Sequence, residues 1–325
     1  MPPNILPAGG YGYATQRLTM HRLTILLLFF VLTACSEDDE VLIPEADLLD
    51  TVPGIGYQTT ENGDLAAIYD RLVDALSANT NLTVVAEVDH QANASRVGQT
   101  LRPTRVVLFG NPALGTPLLR INPQVGLDLP QKMLLFEAEE GEVVVAYNAT
   151  SYLSARHGVG AAATLADIDN ALGNLLINAT NSGNNLVRLT APAAPLNEGI
   201  LTRTGSGMVD SVYAQLRASI AGNANLTIVA EVDHRANALA VGDTIPPNRL
   251  IVFGNPTLGT PLLQAQQSIG LDLPQKMLVY QNAEGEVTVA FNDPVYLAGR
   301  HGVSTSLPEL TTIREALVGL AEQAL

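Results

Sequence analysis

One stretch of the chain occurs twice. Residues 87–157 align with residues 231–301 at a constant offset and without a gap, and roughly 40 of about 70 aligned positions are identical. Residues 82–85 align with 226–229 in the same way. With its flanking segments, each copy exceeds about 100 residues, which is longer than a solenoid repeat and enough to bury a core of its own. The sequence therefore predicts one domain written twice in tandem.

Local patterns within each copy predict both strands and helices. Apolar residues at helical spacing predict amphipathic helices, and short β-branched runs predict strands. In the first copy, we expect helices over 64–76 and 167–177, strands over 82–88 and 105–109, and a hairpin of 132–136 with 143–147; residues 308–324 are the counterpart of the last helix.

A hairpin-containing sheet with helices on one side is typical of a two-layer domain. We therefore expect an α+β fold with two similar two-layer domains, each a mainly antiparallel sheet packed against helices. Because the linker raises the effective concentration of each copy for the other, we also expect the copies to pair within the chain as a pseudo-dimer.

The copies follow a segment typical of secretion. A basic start at His21 and Arg22 precedes an apolar run that is too short to span a bilayer and ends at Cys35. We expect a signal region over 1–34 with Met20 as the start, a lipobox at 32–35, an acidic tether over 35–52, repeat unit 1 over 53–190 and repeat unit 2 over 191–325.

Cys35 is the single cysteine of the chain. The lipobox predicts its acylation, and Ser36 directly after it resembles lipoproteins sorted to an outer membrane. We therefore expect a cell-envelope protein, anchored in a lipid bilayer by an acyl chain such as palmitate and facing the periplasm. A signal anchor that is not processed, or a chance match, is the alternative.

The charge balance bears on possible partners. The chain carries 32 acidic and 17 basic residues, for a formal net charge of -15, and only 5% of its residues are aromatic. Such a surface repels the phosphates of nucleic acids, and few rings are available to stack on bases. Nucleic-acid binding is therefore disfavoured.

Four sequence blocks occur in the same order in both copies. In the first copy they are Glu-Val-Asp-His at 87–90, Arg-Val-Val-Leu-Phe-Gly-Asn-Pro at 105–112, Gly-Leu-Asp-Leu-Pro-Gln-Lys-Met at 126–133 and Tyr-Leu-Ser-Ala-Arg-His at 152–157. This pattern resembles the domain of unknown function 302 family; the second copy departs from it in reading Leu-Ile-Val at 250–252. The resemblance implies a small α+β domain that pairs with itself, and it implies no established activity.

The repeated blocks hold every histidine and every lysine that follows the signal region. After the signal region there are two histidines and one lysine in each copy. An aspartate could orient a basic group, the histidines could carry protons or bind a ligand, and the lysine and arginines could hold an anion. The candidate ligand site is Asp89, His90, Arg105, Lys132, Arg156 and His157 in the first copy and Asp233, His234, Arg249, Lys276, Arg300 and His301 in the second.

Structural roles are an alternative for each of these residues. Asp89 and His90 are adjacent, so on a strand they point to opposite faces, and they can instead end a strand and cap the next turn. Arg156 and His157 can bind carbonyls at a helix C-terminus, and Lys132 can be a charge on an edge strand. For Phe-Gly-Asn-Pro at 109–112, Asn111 as N-cap and Pro112 as the first helical residue account for the residues without a ligand.

Two functions remain open from the sequence. One is a binding or interaction module with a small ligand in or between the paired copies. The alternative is an enzyme that uses the His/Asp/Lys/Arg set of each copy. No zinc-binding spacing, nucleophile elbow or phosphate loop is present, so we assign no metal, no cofactor and no catalytic residue.

Overall fold

A computed structural model describes residues 49–61, 63–182 and 188–325. The predicted signal region, the lipobox with Cys35, and the tether as far as residue 48 lie outside these residues. Both repeats belong to one compact unit.

The first repeat alternates strands and helices. Its strands are β1 (Ile55–Thr60), β2 (Thr83–Asp89), β3 (Thr104–Gly110), β4 (Gln131–Glu137), β5 (Val143–Asn148) and the short β6 (Arg188–Leu189). Its helices are α1 (Leu65–Ala78), α2 (His90–Arg96), α3 (Pro112–Ile121), α4 (Thr150–His157) and α5 (Leu165–Thr180), with 3-10 turns at Leu49–Thr51 and Pro123–Leu127.

The second repeat has the same order of elements. Its strands are β7 (Ile200–Gly205), β8 (Thr227–Asp233), β9 (Asn248–Gly254), β10 (Gln275–Gln281) and β11 (Val287–Asn292). Its helices are α6 (Val209–Ala221), α7 (His234–Ala240), α8 (Pro256–Ala265), α9 (Pro294–Arg300) and α10 (Pro308–Ala324), with a 3-10 turn at Gln267–Leu271.

Each repeat builds one antiparallel sheet. The strand order is β2-β3-β4-β5-β1-β6 in the first repeat and β8-β9-β10-β11-β7 in the second. In both sheets the strand after the first long helix carries a register shift, at Val84/Ala86 and at Ile228/Ala230. The predicted fold, two similar α+β domains with antiparallel sheets, is confirmed.

Side-chain alternation along the strands gives each sheet two buried faces. On β4, Met133 and Leu135 pack against the helices of their own repeat. Leu134 and Phe136 point the other way and belong to a buried cluster that also contains Leu278 of the second sheet. Each fully buried leucine or phenylalanine contributes about 1.5–3 kcal/mol. The sheets therefore meet face to face with helices outside, and the predicted pseudo-dimer is confirmed.

The segment after β2 crosses to the other repeat. Ala94 of α2 and Leu101 pack into the core of the second repeat, and Ala238 of α7 and Ile245 pack into the core of the first. The backbone carbonyl of Thr100 accepts a hydrogen bond of 2.7 Å from the amide of Gln264 on α8. Each repeat thus completes part of its partner's helical layer.

Local sequence patterns predict most of these elements but not all of them. The predicted strands and long helices are present, with ends that differ by one to a few residues. Strands β1 and β7 and helices α2 and α7 were not predicted. Lys132 does not lie on an edge strand, because β4 is an inner strand between β3 and β5. Within the described residues, no helix combines the length and apolar character needed to cross a membrane.

Candidate functional site

The structure separates the twelve candidate residues into groups. Lys132, Arg156 and His157 with their counterparts Lys276, Arg300 and His301 are buried where the two sheets meet. Asp89 and His90, with Asp233 and His234, lie at strand ends beside two pockets. Arg105 and Arg249 pair with those aspartates at the surface. The candidates therefore do not form a single site.

The buried group is organised around an aspartate that sequence reasoning did not single out. Asp128 follows the 3-10 turn Pro123–Leu127. It lies 2.8 Å from Nη1 of Arg156, 2.7 Å from Nε2 of His157 and 3.2 Å from Nζ of Lys276. Burial alone raises the pKa of Asp128, but Arg156, Lys276 and His157 outweigh burial and hold the pKa well below its ordinary value. Asp128 is therefore ionised.

Asp272 holds the matching position in the second repeat. It lies 2.5 Å from Nη1 of Arg300, 3.1 Å from Nε2 of His301 and 3.4 Å from Nζ of Lys132. Burial again raises its pKa, and the neighbouring Arg300 and Lys132 lower it further than burial raises it. Each lysine thus crosses from its own repeat to the aspartate of the other.

Further polar contacts close this central network, which we define as Asp128, Asp272 and the three basic side chains around each. Nη2 of Arg156 donates to Oδ1 of Asn292 at 2.8 Å, and Nη2 of Arg300 donates to Oδ1 of Asn148 at 2.8 Å. The ring of Tyr152 lies 3.9 Å below the guanidinium carbon of Arg300. Burial and the nearby Lys276 lower the pKa of Lys132 to about 7. The network is inaccessible to a ligand and fixes the pairing of the repeats.

A sequence signal for the two aspartates existed. Both belong to the block Gly-Leu-Asp-Leu-Pro-Gln-Lys-Met, which is identical in the two copies at 126–133 and 270–277. Spacing cannot pair them with their partners, because Asp128 and Lys276 are 148 residues apart in sequence.

Two pockets lie on the helical sides of the sheets. The first pocket, of about 540 Å³, is lined by 226–229, 253–256 and 273–275 of the second repeat, by the apolar face of α10, and by 87–90 of the first repeat. The second pocket, of about 400 Å³, has the equivalent lining with the repeats exchanged. Each pocket therefore needs both repeats.

The pocket walls are mainly aliphatic. Phe253, Leu263 and Leu317 line the first pocket, and Phe109, Leu119 and Leu172 take the same places in the second. Cavities of a few hundred Å³ with apolar walls and a small number of polar groups are typical of small-molecule sites.

Two glutamines of the pocket walls have amide nitrogens without a hydrogen-bond partner in the described residues. Gln131 and Gln275 are the first residues of β4 and β10 and alternate with Met133 and Met277, so they face the helical side, where the pockets lie. Gln131 is 8% exposed and Gln275 is 9% exposed. Neither Nε2 atom has a hydrogen-bond partner within the described part of the chain. A buried amide donor without a partner costs free energy.

The pocket histidines are neutral at physiological pH. Burial lowers the pKa of His90 to about 4, and it does the same for His234, which is also 3.3 Å from the carbonyl oxygen of Gly126. Nε2 of His90 is buried, and among residues 49–61, 63–182 and 188–325 nothing hydrogen-bonds to it. The histidines thus add neutral polar groups to the pocket walls.

The structural roles proposed for the turn residues are also present. Asp89 accepts a hydrogen bond of 2.8 Å from the backbone N–H of Ala92 and caps α2. It also lies 3.2 Å from Nε of Arg105. Asn111 caps α3 by accepting from the backbone N–H of Ala113 at 3.0 Å, with Pro112 as the first helical residue. Capping is therefore confirmed at both positions, and the same residues line the pockets.

Among the described residues, no group of three or more His, Cys, Asp or Glu side chains is arranged to hold a metal ion. In the central network, the positions around each aspartate are taken by Arg, Lys and His side chains.

Comparison with protein families gives a match in each repeat. The model described as "Domain of unknown function DUF302" matches residues 57–175 and 201–324. These ranges coincide with the two sheets and their helices, and together they span well over half of the chain.

Curated relatives match over part of their length. Proteins named "Fluoride-specific ion channel FluC 1" from Brucella suis biovar 1 (strain 1330) and Brucella abortus biovar 1 (strain 9-941) are each 36% identical over 121 residues. The match covers 37% of this chain and 47% and 44% of those proteins. The chain thus spans about half the length of the curated relatives it matches.

One solved structure is also similar. It is the crystal structure of an uncharacterized conserved protein DUF302 from Bacillus stearothermophilus, with a TM-score of 0.36 and 17% sequence identity. The similarity covers 39% of this chain and 99% of that chain.

Proposed function

The chain belongs to the family of the domain of unknown function DUF302, which it carries twice, and from this premise we propose that it is a small-ligand-binding module of the cell envelope. Its ligand sites are the first and second pockets, each made by both repeats. The ligands are small molecules with a largely apolar body and at least one hydrogen-bond acceptor.

One observation carries this function: each apolar pocket contains a buried glutamine amide with no partner in the described residues. An apolar wall stabilises an apolar ligand body, and an unpaired donor favours a ligand that accepts a hydrogen bond. Acid–base catalysis by the candidate set is less favoured, because Lys132 and Arg156 are held in buried ion pairs away from the pockets.

Attachment to the envelope is a separate part of this function, and the lipobox sequence supports it. Mass spectrometry of the protein extracted from membranes is expected to find an N-terminal Cys35 carrying acyl chains. A Cys35→Ala variant is expected to leave the membrane fraction. A wild-type chain without lipid on Cys35 would overturn the proposed lipid anchor but would not bear on ligand binding by the pockets.

Ligand binding can be tested by filling each pocket. Gly259 and Gly115 line the first and second pockets within α8 and α3. A Cβ added at Gly259 meets nothing within 4 Å, and one at Gly115 lies 3.6 Å from Leu129, an ordinary contact. Gly259→Leu and Gly115→Leu therefore place a side chain at each pocket at little cost to the fold.

The neutral fluorophore N-phenyl-1-naphthylamine serves as the apolar probe. We expect two saturable sites on the wild-type chain, one on each single variant and none on the double variant. Gly319→Leu is the matched control, because this α10 glycine also has open space around its Cβ but lies outside the pocket lining. Absence of saturable binding to the wild type, or unchanged binding to the double variant, would overturn the function.

A further inference from the structure

The two pockets have nearly the same walls but differ at one charged position. The equivalent side chains that line both pockets are identical with one exception. The first pocket has Ile228 where the second has Val84, which is a conservative change. Arg96, at the end of α2, lines the first pocket. The equivalent residue is Ala240, at the end of α7, and it has no charge. The first pocket therefore has a cation at its rim that the second lacks.

The guanidinium of Arg96 is available to an anion. Its Nη1 donates to the neutral side-chain oxygen of Asn93 at 3.0 Å, and in the described part of the protein no carboxylate forms an ion pair with it. The two acids that line the same pocket are already engaged. Glu87 accepts a hydrogen bond of 2.8 Å from Tyr69, and Asp89 holds Arg105 and the N-terminus of α2.

The equivalent acids of the second pocket are also engaged by neighbouring groups. In the second pocket, Glu231 is bound by Tyr213 and by Arg217, and Asp233 caps α7. Arg249 lies 3.8 Å from Asp233. Among the charged side chains that line the two pockets, the difference is therefore the single cation at position 96. Arg217, which pairs with Glu231, lies outside the lining of the second pocket, and Val73 takes its place in the first repeat.

We propose that the first pocket selects an anionic amphiphile, namely a carboxylate with a hydrocarbon tail, whereas the second pocket does not distinguish it from the neutral analogue. The tail lies against the aliphatic wall formed by Leu263, Leu317 and their neighbours, and the carboxylate lies at the rim beside Arg96. This selectivity rests on the proposed function, because it requires that the pockets bind apolar molecules.

The test compares decanoate with decanol, which share a ten-carbon chain and differ in the charge of the head group. Each is measured by displacement of N-phenyl-1-naphthylamine from chains with one open pocket. Gly115→Leu leaves the first pocket open, and Gly259→Leu leaves the second open. Because Arg96 is exposed to solvent, we expect the first pocket to prefer decanoate by about two- to fivefold.

Two reciprocal substitutions assign the preference to the rim charge. Arg96→Ala is expected to abolish the preference in the Gly115→Leu chain, and Ala240→Arg is expected to create it in the Gly259→Leu chain. The preference also weakens as salt is raised, since exposed charges are screened. Decanol is measured in the same chains, so that the effect of Arg96→Ala is taken as the change in the ratio of decanoate affinity to decanol affinity.

The outcomes separate this selectivity from the function beneath it. Equal preference in both pockets, or a preference that survives Arg96→Ala, overturns the selectivity while ligand binding stands. Probe binding without any binding of decanoate or decanol also overturns it. Failure of the probe to bind overturns the proposed function itself.

Discussion

At the centre of the pseudo-dimer, Asp128 and Asp272 each face an arginine, a histidine and a lysine. In the pockets, by contrast, the amides of Gln131 and Gln275 have no partner in the described residues. Both sets come from blocks that are duplicated in the chain. The difference shows that repetition of a polar residue does not by itself indicate a ligand site, because the central aspartates are engaged by buried basic side chains from both repeats.

The central network is closed because each sheet excludes water from the face of the other. A charge buried at such an interface is tolerated only where opposite charges and hydrogen bonds surround it. Pairing Lys132 with Asp272 and Lys276 with Asp128 also fixes which strands oppose each other, since sliding one sheet separates both pairs. The pockets lie on the helical sides, where walls from two repeats meet without filling the space.

Removing one central aspartate has the largest expected effect. In Asp128→Asn the side chain keeps its size, but Arg156 and Lys276 lose their buried countercharge. We expect the free energy of unfolding at pH 7 to fall by about 3–5 kcal/mol, measured by urea denaturation.

The matched control for this change is Asp210→Asn. Asp210 is an exposed carboxylate that lies 3.2 Å from Arg249. Its removal is expected to cost less than about 1 kcal/mol. Equal losses for the two variants would contradict a structural role for the central network.

The second-largest expected effect is a loss of stability at low pH that comes from the pocket histidines. Burial lowers the pKa of His90 and His234 to about 4 from an ordinary 6.5, so between these values the unfolded chain binds protons that the folded chain does not. Stability therefore falls as the pH falls from 6.5 to 4, by about 3 kcal/mol for each histidine, and is unaffected by them above 6.5.

The measurement is the free energy of unfolding of the wild type and of a His90→Gln, His234→Gln variant at pH 7 and pH 4.5. The variant is expected to lose much less stability between these two values. His301, whose pKa burial also lowers, remains in the variant and accounts for residual dependence in this window. An equal loss in both proteins would mean that the pocket histidines are not buried in the neutral form.

Local sequence patterns account for the parts of the fold whose causes are local. Apolar spacing predicts α1 and α5, and β-branched runs predict β2 to β5, because each pattern reflects which face of one element is buried. The cap at Asn111 is predictable for the same reason, since its partner is the N–H of Ala113, two residues away.

The remaining features depend on contacts between distant residues. Helix α2 has seven residues, and its buried Ala94 packs into the other repeat, so its own sequence carries little periodicity. The sequence singles out Lys132 and Arg156 as candidates, but it cannot supply Asp272 or Asp128 as their partners. The pockets are likewise invisible in one copy, because each is made by both repeats.

The smallest expected effect comes from comparing a pocket glutamine with a glutamine whose side-chain amide is already hydrogen-bonded. Gln275 has an unpartnered Nε2 in the part of the protein that the structure describes, whereas Nε2 of Gln267 donates to Thr104 at 2.7 Å and its Oε1 accepts from Arg102 at 2.9 Å. Replacing each with methionine keeps the volume and removes the amide. Gln275→Met is expected to raise the free energy of unfolding by about 1 kcal/mol, because an unpaired buried donor is removed, whereas Gln267→Met lowers it by about 1–3 kcal/mol.

Urea denaturation of both variants without ligand gives the two signs, and binding of decanoate gives a second readout, since loss of the Gln275 donor weakens the first pocket alone. Destabilisation by Gln275→Met would show that its amide is already satisfied, and the contrast between the closed centre and the open pockets would then fail.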